Sequence, residues 1–231
     1  MLQFVSFQIW RLSGQRVKPS LSNLKRMRLT TSQLLERYQA CDRHFRDLDL
    51  QGIELSHCDL RGAVFCHADL KGAQFRGALL QGANFSGADL SHAVFSHAQL
   101  HHANFSYTLL DGANAQGADL SGANFSGASL EGCNLSHTDL QGSNFSRTNL
   151  SYANCAWADL SRSNLSHACL ARTNCSGADL DSVNLRGAIL WQTEWKDARL
   201  PKSLFKATNL IEQMRRQEQE NERLFRRNHA L

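Results

Sequence analysis

The sequence has only two prolines among its 231 residues, and it has no run of about 20 apolar residues, the length that a membrane-spanning helix needs. It therefore excludes a membrane-spanning helix. The seven cysteines include no CxxC pair and no recurrent His/Cys spacing of the kind found in zinc sites. We expect reduced thiols, a cytoplasmic location and no association with a membrane.

The first residues of the sequence do not follow the usual order of a secretory signal. The apolar segment 1–10 precedes the nearest basic residues instead of following them, and no small-x-small cleavage site comes after it. We expect no signal peptide. The sequence leaves open whether translation starts at Met1 or at Met27.

Charge is distributed unevenly along the chain. Residues 1–44 contain eight Lys/Arg and two Asp/Glu, residues 45–200 contain ten and fifteen, and residues 201–231 contain seven and four. A mildly acidic middle thus lies between two basic ends.

A five-residue repeat dominates the sequence between residues 50 and 190. Leu or Phe occupies every fifth position in 26 of 29 cases, the exceptions being Ala115, Cys155 and Cys175. The residue two positions earlier is Ala in 18 of the 29 cases, and the unit reads A-(D/N)-(L/F)-S-G. A period of five fits neither a helix nor a flat strand. It is typical of a chain that turns a corner every five residues and points one large and one small residue inward from each side.

Four such sides predict a square coil of 20 residues, in which residues 20 apart stack on one another. The positions from Leu60 to Leu200 at intervals of 20 are all Leu, and so are those from Leu50 to Leu210. Phe fills a third series from Phe45 to Phe145. The strict signal is a ten-residue alternation of Leu and Phe, which is compatible with the 20-residue coil.

With these residues, the segment 45–200 resembles the pentapeptide-repeat family, and its repeats stay in register throughout. The resemblance implies an all-β solenoid, a right-handed quadrilateral β-helix of about eight 20-residue coils. The style of the repeats is similar to that of cyanobacterial single-domain members, so we expect a bacterial protein.

Helical caps are predicted at both ends of the coils, because open coil edges invite aggregation. Thr30 and Gln33 are spaced as a capping box at the start of the first helix. The C-terminal helix either extends into solvent or forms a partner contact, including a homodimer. The predicted organisation is a poorly structured extension (1–29), an N-terminal capping helix (30–44), the β-helix (45–200) and a C-terminal capping or tail helix (201–231).

The sequence contains no nucleophile constellation and no phosphate-binding glycine loop, so we expect no catalytic residues and no cofactor. Fourteen of the 15 glycines fall at the corners of the repeat, where a permissive backbone is needed. The ten histidines are expected to be structural or exposed, without a metal site, and His101 and His102 come nearest to a metal pair. Cys155 and Cys175 stack one coil apart, and we expect them to pack as small apolar residues instead of forming a disulfide.

Outward positions of the coils form columns of polar residues. Two columns of Asn are expected to hydrogen-bond along the axis of the coil. A third column holds Asp119, Asp139, Asp159 and Asp179. These carboxylates either accept local hydrogen bonds at the corners or form an acidic stripe for a basic partner. Tyr152 and Trp157 are outward aromatic residues that would anchor a contact there.

The resemblance implies a protein that acts by binding, since family members do so, and one cyanobacterial relative regulates cell differentiation through protein contacts. We therefore expect a non-enzymatic, regulatory interaction scaffold with an unknown protein partner and no direct contact with nucleic acid. The alternative is DNA mimicry, as in the quinolone-resistance members that bind DNA gyrase. The loops that those relatives insert between coils are absent here, because the period is unbroken from 50 to 190.

Overall fold

The computed structural model describes residues 28–201. Helix α1 spans Thr31–Gln39, and a continuous series of single-residue β-bridges follows, from His44 to Arg199. The predicted C-terminal helix beyond Pro201, and all but two residues of the predicted N-terminal extension, lie outside the described residues. No helix within the described part has the length and apolarity needed to cross a membrane.

The coils are held together by parallel bridges between residues 20 apart. The series begins at His44 and Val64, starts a new bridge every five residues, and ends at Asp179 and Arg199. The hydrogen bonds are short, as between Phe65 N–H and Asn84 O at 2.7 Å. Bridges at every fifth residue and a register of 20 give four sides to each coil, which confirms the predicted four-sided β-helix.

The predicted inward positions form the core. Every fifth residue from Phe45 to Leu180 is buried. Phenylalanine rings stack along the axis, with centroids 5.0 Å apart for Phe85 and Phe105 and 4.9 Å apart for Phe75 and Phe95. Each such ring contributes roughly 1.5–3 kcal/mol through burial, before the entropy of ordering the chain is subtracted.

Each corner requires a residue in the left-handed region, the second after the inward position. Gly77 has φ of 62°, and His57, at the same corner one coil earlier, has φ of 60°. Eight corner glycines lie beneath a ring from the residue 20 positions before, so that an added Cβ would come within 2.5–2.7 Å of that ring. The rings belong to His57, His67, His92, His97, His102, Tyr107, Trp157 and His167. Most of the corner histidines therefore pack over backbone that has no side chain.

Helix α1 covers the start of the first coil. The predicted capping box is formed, because Thr30 Oγ1 accepts from Gln33 N–H and the Gln33 side chain accepts from Thr30 N–H. Leu34 is fully buried. Tyr38 donates its hydroxyl proton to Arg61 O at 2.9 Å, which ties the helix to the coil beneath it.

The core contains a small cavity at the one buried Ala in a column of larger residues. Ala115 follows Phe75 and Phe95 in its column and precedes Leu135. The space left by its short side chain is a cavity of about 20 Å³, lined by Phe95 and Phe125 among other apolar residues.

We expect Ala115→Leu to raise the free energy of unfolding by about 1 kcal/mol, since it adds buried methyl groups and fills a void. Urea denaturation of the purified protein measures this change. Ala83→Leu is the control, because Ala83 is also fully buried but does not line the cavity. Crowding should make the control destabilising by about 1–3 kcal/mol. A loss of stability in both variants would show that the cavity cannot accept the added atoms.

Small inward positions carry buried hydroxyls where Ala is replaced by Ser or Thr. Ser143 Oγ donates to Leu120 O at 2.9 Å, and Thr173 Oγ1 donates to Leu150 O at 2.7 Å. Ser163 occupies the same kind of position, but its Oγ has no hydrogen-bond partner among the described residues. A buried hydroxyl without a partner costs free energy relative to a methyl group.

Ser163→Ala should therefore leave stability unchanged or raise it by up to about 2 kcal/mol, because it removes an unsatisfied polar group. The matched variant Ser143→Ala should lower stability by about 1 kcal/mol through the lost hydrogen bond. Both are read from urea unfolding curves at one pH. Equal losses in the two variants would mean that Ser163 has a partner after all.

Candidate functional site

The four aspartates of the predicted column lie on one side of the coil. Each precedes an inward Leu, so its backbone lies at a bridge and its side chain points outward. The bridges join Asp119 to Asp139, Asp139 to Asp159 and Asp159 to Asp179. Successive carboxylates therefore follow the strand spacing of about 4.8 Å. We call this side, defined by these four residues, the acidic face.

One oxygen of each aspartate is used at the corner that follows it. Oδ1 accepts the backbone N–H two residues later, at 3.0 Å from Gln141 to Asp139 and at 2.9 Å from Ser161 to Asp159. Asp119 and Asp179 make the same bond. The local role expected from the sequence is thus present, and it leaves Oδ2 of each side chain for other contacts.

A histidine and an arginine contact the outermost aspartates of the acidic face. His101 Nδ1 lies 3.3 Å from Asp119 Oδ2, and Arg199 Nη1 lies 3.0 Å from Asp179 Oδ2. Asp139 and Asp159 make no salt bridge within residues 28–201. Arg162 lies at the corner three residues after Asp159 and also makes no salt bridge in this part of the chain. The centre of the face therefore presents two adjacent carboxylates that no described cationic group binds.

Trp157 lies at the edge of this centre. It occupies the corner two residues before Asp159, with φ of 61°, and its ring packs over the backbone of Gly177. The side chain is 61% exposed. Two negative charges and an aromatic surface therefore lie within one coil spacing of each other, on Asp139, Asp159 and Trp157.

Tyr152 does not join this group. It lies at the preceding corner, one side away from the acidic face, and it contacts Arg172, whose guanidinium carbon lies 5.6 Å from the ring centroid. Arg172 also lies 4.8 Å from the ring centroid of Trp191. Sequence reasoning missed Arg172 and Trp191. A signal was available, because Trp191 replaces the small or polar residue that usually follows an inward Leu.

The longer asparagine column forms the predicted amide ladder along its whole length, and the shorter column forms it from Asn114 to Asn154. Asn104 Nδ2 donates to Asn84 Oδ1 at 3.2 Å, and the series continues with similar distances to Asn184. In the shorter column, Asn134 donates to Asn114 at 3.2 Å. These side chains hold neighbouring coils together, so their amides are partly occupied within the protein.

The histidines and cysteines form no metal cluster in the described part of the chain. No group of three or more His, Cys, Asp or Glu side chains between residues 28 and 201 lies close enough to hold a metal ion. Cys155 and Cys175 are buried free thiols. A hydrogen bond with Cys155 and burial hold the pKa of the Cys175 thiol well above its ordinary value, so this thiol is a poor nucleophile.

Asp119 has a lowered pKa. Burial is the largest influence and acts to raise the pKa, but hydrogen bonds from the Ser121 hydroxyl and backbone N–H, together with His101, outweigh it. A carboxyl group whose pKa is lower in the folded than in the unfolded protein stabilises the fold above its unfolded pKa. That contribution is lost as the pH falls through the folded pKa.

We expect Asp119→Asn to destabilise the protein by less than about 1 kcal/mol at pH 7, because the group is partly exposed, and to have a smaller effect below about pH 3, where carboxyl groups become protonated. Urea unfolding at the two pH values measures the difference. The control is Gln141→Ala, which lies on the same side and carries no charge. An effect of Asp119→Asn that stays the same at both pH values would contradict the charge-based explanation.

Comparison with known proteins agrees with the repeat pattern. A family profile described as pentapeptide repeats matches the chain in eight copies. The matches cover the overlapping ranges 44–82, 68–106, 93–136, 128–166 and 158–193. The comparison with curated proteins found no match.

Among solved structures, the chain is 37% identical to a pentapeptide repeat protein from the Arabidopsis thaliana thylakoid lumen, over 44% of this chain and 70% of that one, with a TM-score of 0.43. It is 28% identical to HetL, a protein involved in heterocyst differentiation regulation from the cyanobacterium Nostoc sp. strain PCC 7120, over 75% of this chain and 98% of that one, with a TM-score of 0.37. It is 22% identical to QnrB1, a plasmid-mediated fluoroquinolone resistance protein, over 75% of this chain and 91% of that one, with a TM-score of 0.40.

Proposed function

The chain belongs to the pentapeptide-repeat family, and from this premise we propose that it is a non-enzymatic, regulatory scaffold whose acidic face binds a basic segment of a protein partner. The fold of the family is the right-handed quadrilateral β-helix. In the finer architecture that we propose, about eight coils lie between a helical cap at each end. The bridges from His44 to Arg199 support the number of coils, and the packing of α1 on the first coil supports the N-terminal cap.

A binding role is favoured over an enzymatic one by the filled interior. The inward columns from Phe45 to Leu180 are buried, and the cavity beside Ala115, at about 20 Å³, has room for little more than a water molecule. An enzyme site needs a cleft that encloses its substrate. The outer sides of the coil are therefore the surfaces on which function depends.

The observation that carries the proposal is the centre of the acidic face, where no carboxylate makes a salt bridge within residues 28–201. Asp139 and Asp159 are adjacent in the column, and two like charges about 4.8 Å apart repel by roughly 1 kcal/mol even in water. A cationic side chain placed against both carboxylates removes this repulsion and adds attraction. The local corner bonds occupy Oδ1 of each residue, so Oδ2 is the acceptor that a partner would use.

Trp157 adds an aromatic contact for the same partner. Lys and Arg side chains stack favourably on exposed aromatic rings. The molecule itself contains such a pair, since the guanidinium carbon of Arg172 lies 4.8 Å from the ring centroid of Trp191. An exposed Trp beside two free carboxylates suits a segment in which Lys or Arg residues recur. Tyr152 lies at a different corner, one side away from the acidic face.

DNA mimicry is the second candidate, and the acidic column is the observation that favours it. Double-stranded DNA carries one charge per about 1.7 Å of its axis, whereas the column supplies one carboxylate per coil spacing of about 4.8 Å. Pairing of Asp179 with Arg199 lowers the charge further. A gyrase supercoiling assay distinguishes the candidates, because a mimic inhibits gyrase or protects it from a quinolone and a scaffold for another partner does neither.

We expect Asp139→Asn/Asp159→Asn to reduce capture of a specific protein from a native lysate of the source cells by at least about tenfold, the loss typical of removing charge-assisted hydrogen bonds. Trp157→Ala should weaken the same capture. Quantitative mass spectrometry of the bound proteins measures both effects.

The matched control is Asp119→Asn/Asp179→Asn, which removes the same number of charges at positions already paired within the protein. It should retain most of the partner. Circular dichroism checks that every variant keeps the fold. Full capture by the Asp139/Asp159 variant would move the binding site away from the acidic face.

A further inference from the structure

A second exposed surface lies on the side opposite the acidic face, in the carboxyl-terminal half of the coils. Its central outward column contains Ile189, ten residues after Asp179. Ten residues are half of a four-sided 20-residue coil, so the two columns occupy opposite sides. We call this side the aromatic face and define it by Arg147, Tyr152, Arg172, Ile189 and Trp191.

The aromatic face combines large apolar side chains with free positive charge. Ile189 is 56% exposed, and Tyr152 and Trp191 are each 55% exposed. Arg172 donates to Gln192 Oε1 at 2.7 Å and to the Tyr152 hydroxyl at 3.4 Å, both neutral acceptors. These contacts hold the guanidinium between two aromatic rings, and no carboxylate among the described residues pairs with it.

Arg147 and Arg172 lie at the two edges of this face, at corners whose φ values are 59° and 58°. Neither makes a salt bridge with a carboxylate in the described segment 28–201. The nearest carboxylate on the same side marks its boundary, since Glu131 lies one coil earlier and accepts from Asn149 at 3.2 Å. Two guanidinium groups thus flank a strip that contains apolar residues and no carboxylate.

The two opposite faces are complementary in charge and in apolar content. The acidic face presents the unpaired Asp139 and Asp159 with Trp157 at its edge, and the aromatic face presents Arg147 and Arg172 with Ile189 and Trp191. Charges of opposite sign on matching surfaces favour association and fix its register. Both faces lie in the carboxyl-terminal half of the stack of coils. Two molecules placed side by side in the same orientation therefore bring the aromatic face of one against the acidic face of the other.

We propose that the aromatic face docks on the acidic face of a second copy of this chain. The inference rests on the proposed function in one respect, since it uses the acidic face as a binding surface, and it names a second copy as a partner of that face. Because the two faces lie on opposite sides, the contact is heterologous and does not close. Each molecule binds one neighbour through each face, and rods line up side by side in an open row.

Sedimentation velocity of the full chain tests the proposal. The average mass should rise with concentration beyond that of a dimer of the 25.8 kDa chain, and the association should weaken by about tenfold or more between low salt and 0.5 M salt, where charges are screened. Arg147→Ser/Arg172→Ser alone and Asp139→Asn/Asp159→Asn alone should each remain monomeric. A wild-type protein that stays monomeric at all concentrations would overturn the proposal.

Mixing the two double variants gives the sharpest result. Each retains one native face, so the mixture should form a 1:1 complex that does not grow with concentration. Formation of this complex also shows that both variants are folded. A mixture that stays monomeric, or single variants that associate as the wild type does, would exclude the proposed contact.

Two other occupants of the aromatic face are distinguished in the same material. A photo-crosslinking residue at position 189 should react with the acidic face of another copy around Asp159 and Asp179, and reaction within one chain with residues 202–231 would overturn the proposal. A labelled single-stranded oligonucleotide that binds the wild type but not Arg147→Ser/Arg172→Ser, without self-association, would identify a nucleic-acid surface instead.

Failure of this inference and failure of the proposed function give different results. If lysate capture depends on Asp139 and Asp159 but the purified chain does not self-associate, only the inference is wrong. If the purified chain self-associates as described but the Asp139/Asp159 variant captures the lysate partner normally, only the proposed function is wrong.

Discussion

The hydrogen bond between backbone groups one coil apart is the interaction on which the rest of the structure depends. Phe65 N–H bonds to Asn84 O, and the equivalent bond recurs at almost every side of the coil. It fixes the register at 20 residues, and that register aligns the inward rings into stacks and the outward side chains into columns. A local change in register would move both sets at once, so core and surface share one constraint.

Much of the fold follows from the sequence because one position in five is so strongly restricted. Leu and Phe at that position, with Ala two residues earlier, predict the inward columns, and the amide ladders follow from Asn residues 20 apart. The capping box at Thr30 is equally local. The cavity beside Ala115 is different: the sequence shows the short side chain, but the space depends on how far Phe95 and Phe125 reach across the interior.

The charge state of the candidate site could not be read from the sequence in the same way. The four aspartates look equivalent, yet His101 lies beside Asp119 and Arg199 beside Asp179, while Asp139 and Asp159 have no such neighbour in the described chain. That distinction depends on side-chain conformations between coils. The position of Trp157 over Gly177 likewise depends on a residue 20 positions away that the local sequence does not reveal. Sequence predicts which side a residue lies on, and structure determines which contacts it makes.

The coil contains four five-residue repeats, and this has a consequence for how its surface can change. Loss or gain of one repeat would leave the large and small inward positions occupied by suitable residues, yet every later residue would turn by a quarter of the circumference relative to the earlier ones. Insertion of two repeats before Asp119 would place the four aspartates on the side now occupied by Ile189. Insertion of whole repeats would therefore rotate the outer surface of the later coils relative to that of the earlier coils. The interior would tolerate such insertions, because the large and small inward positions would still hold suitable residues.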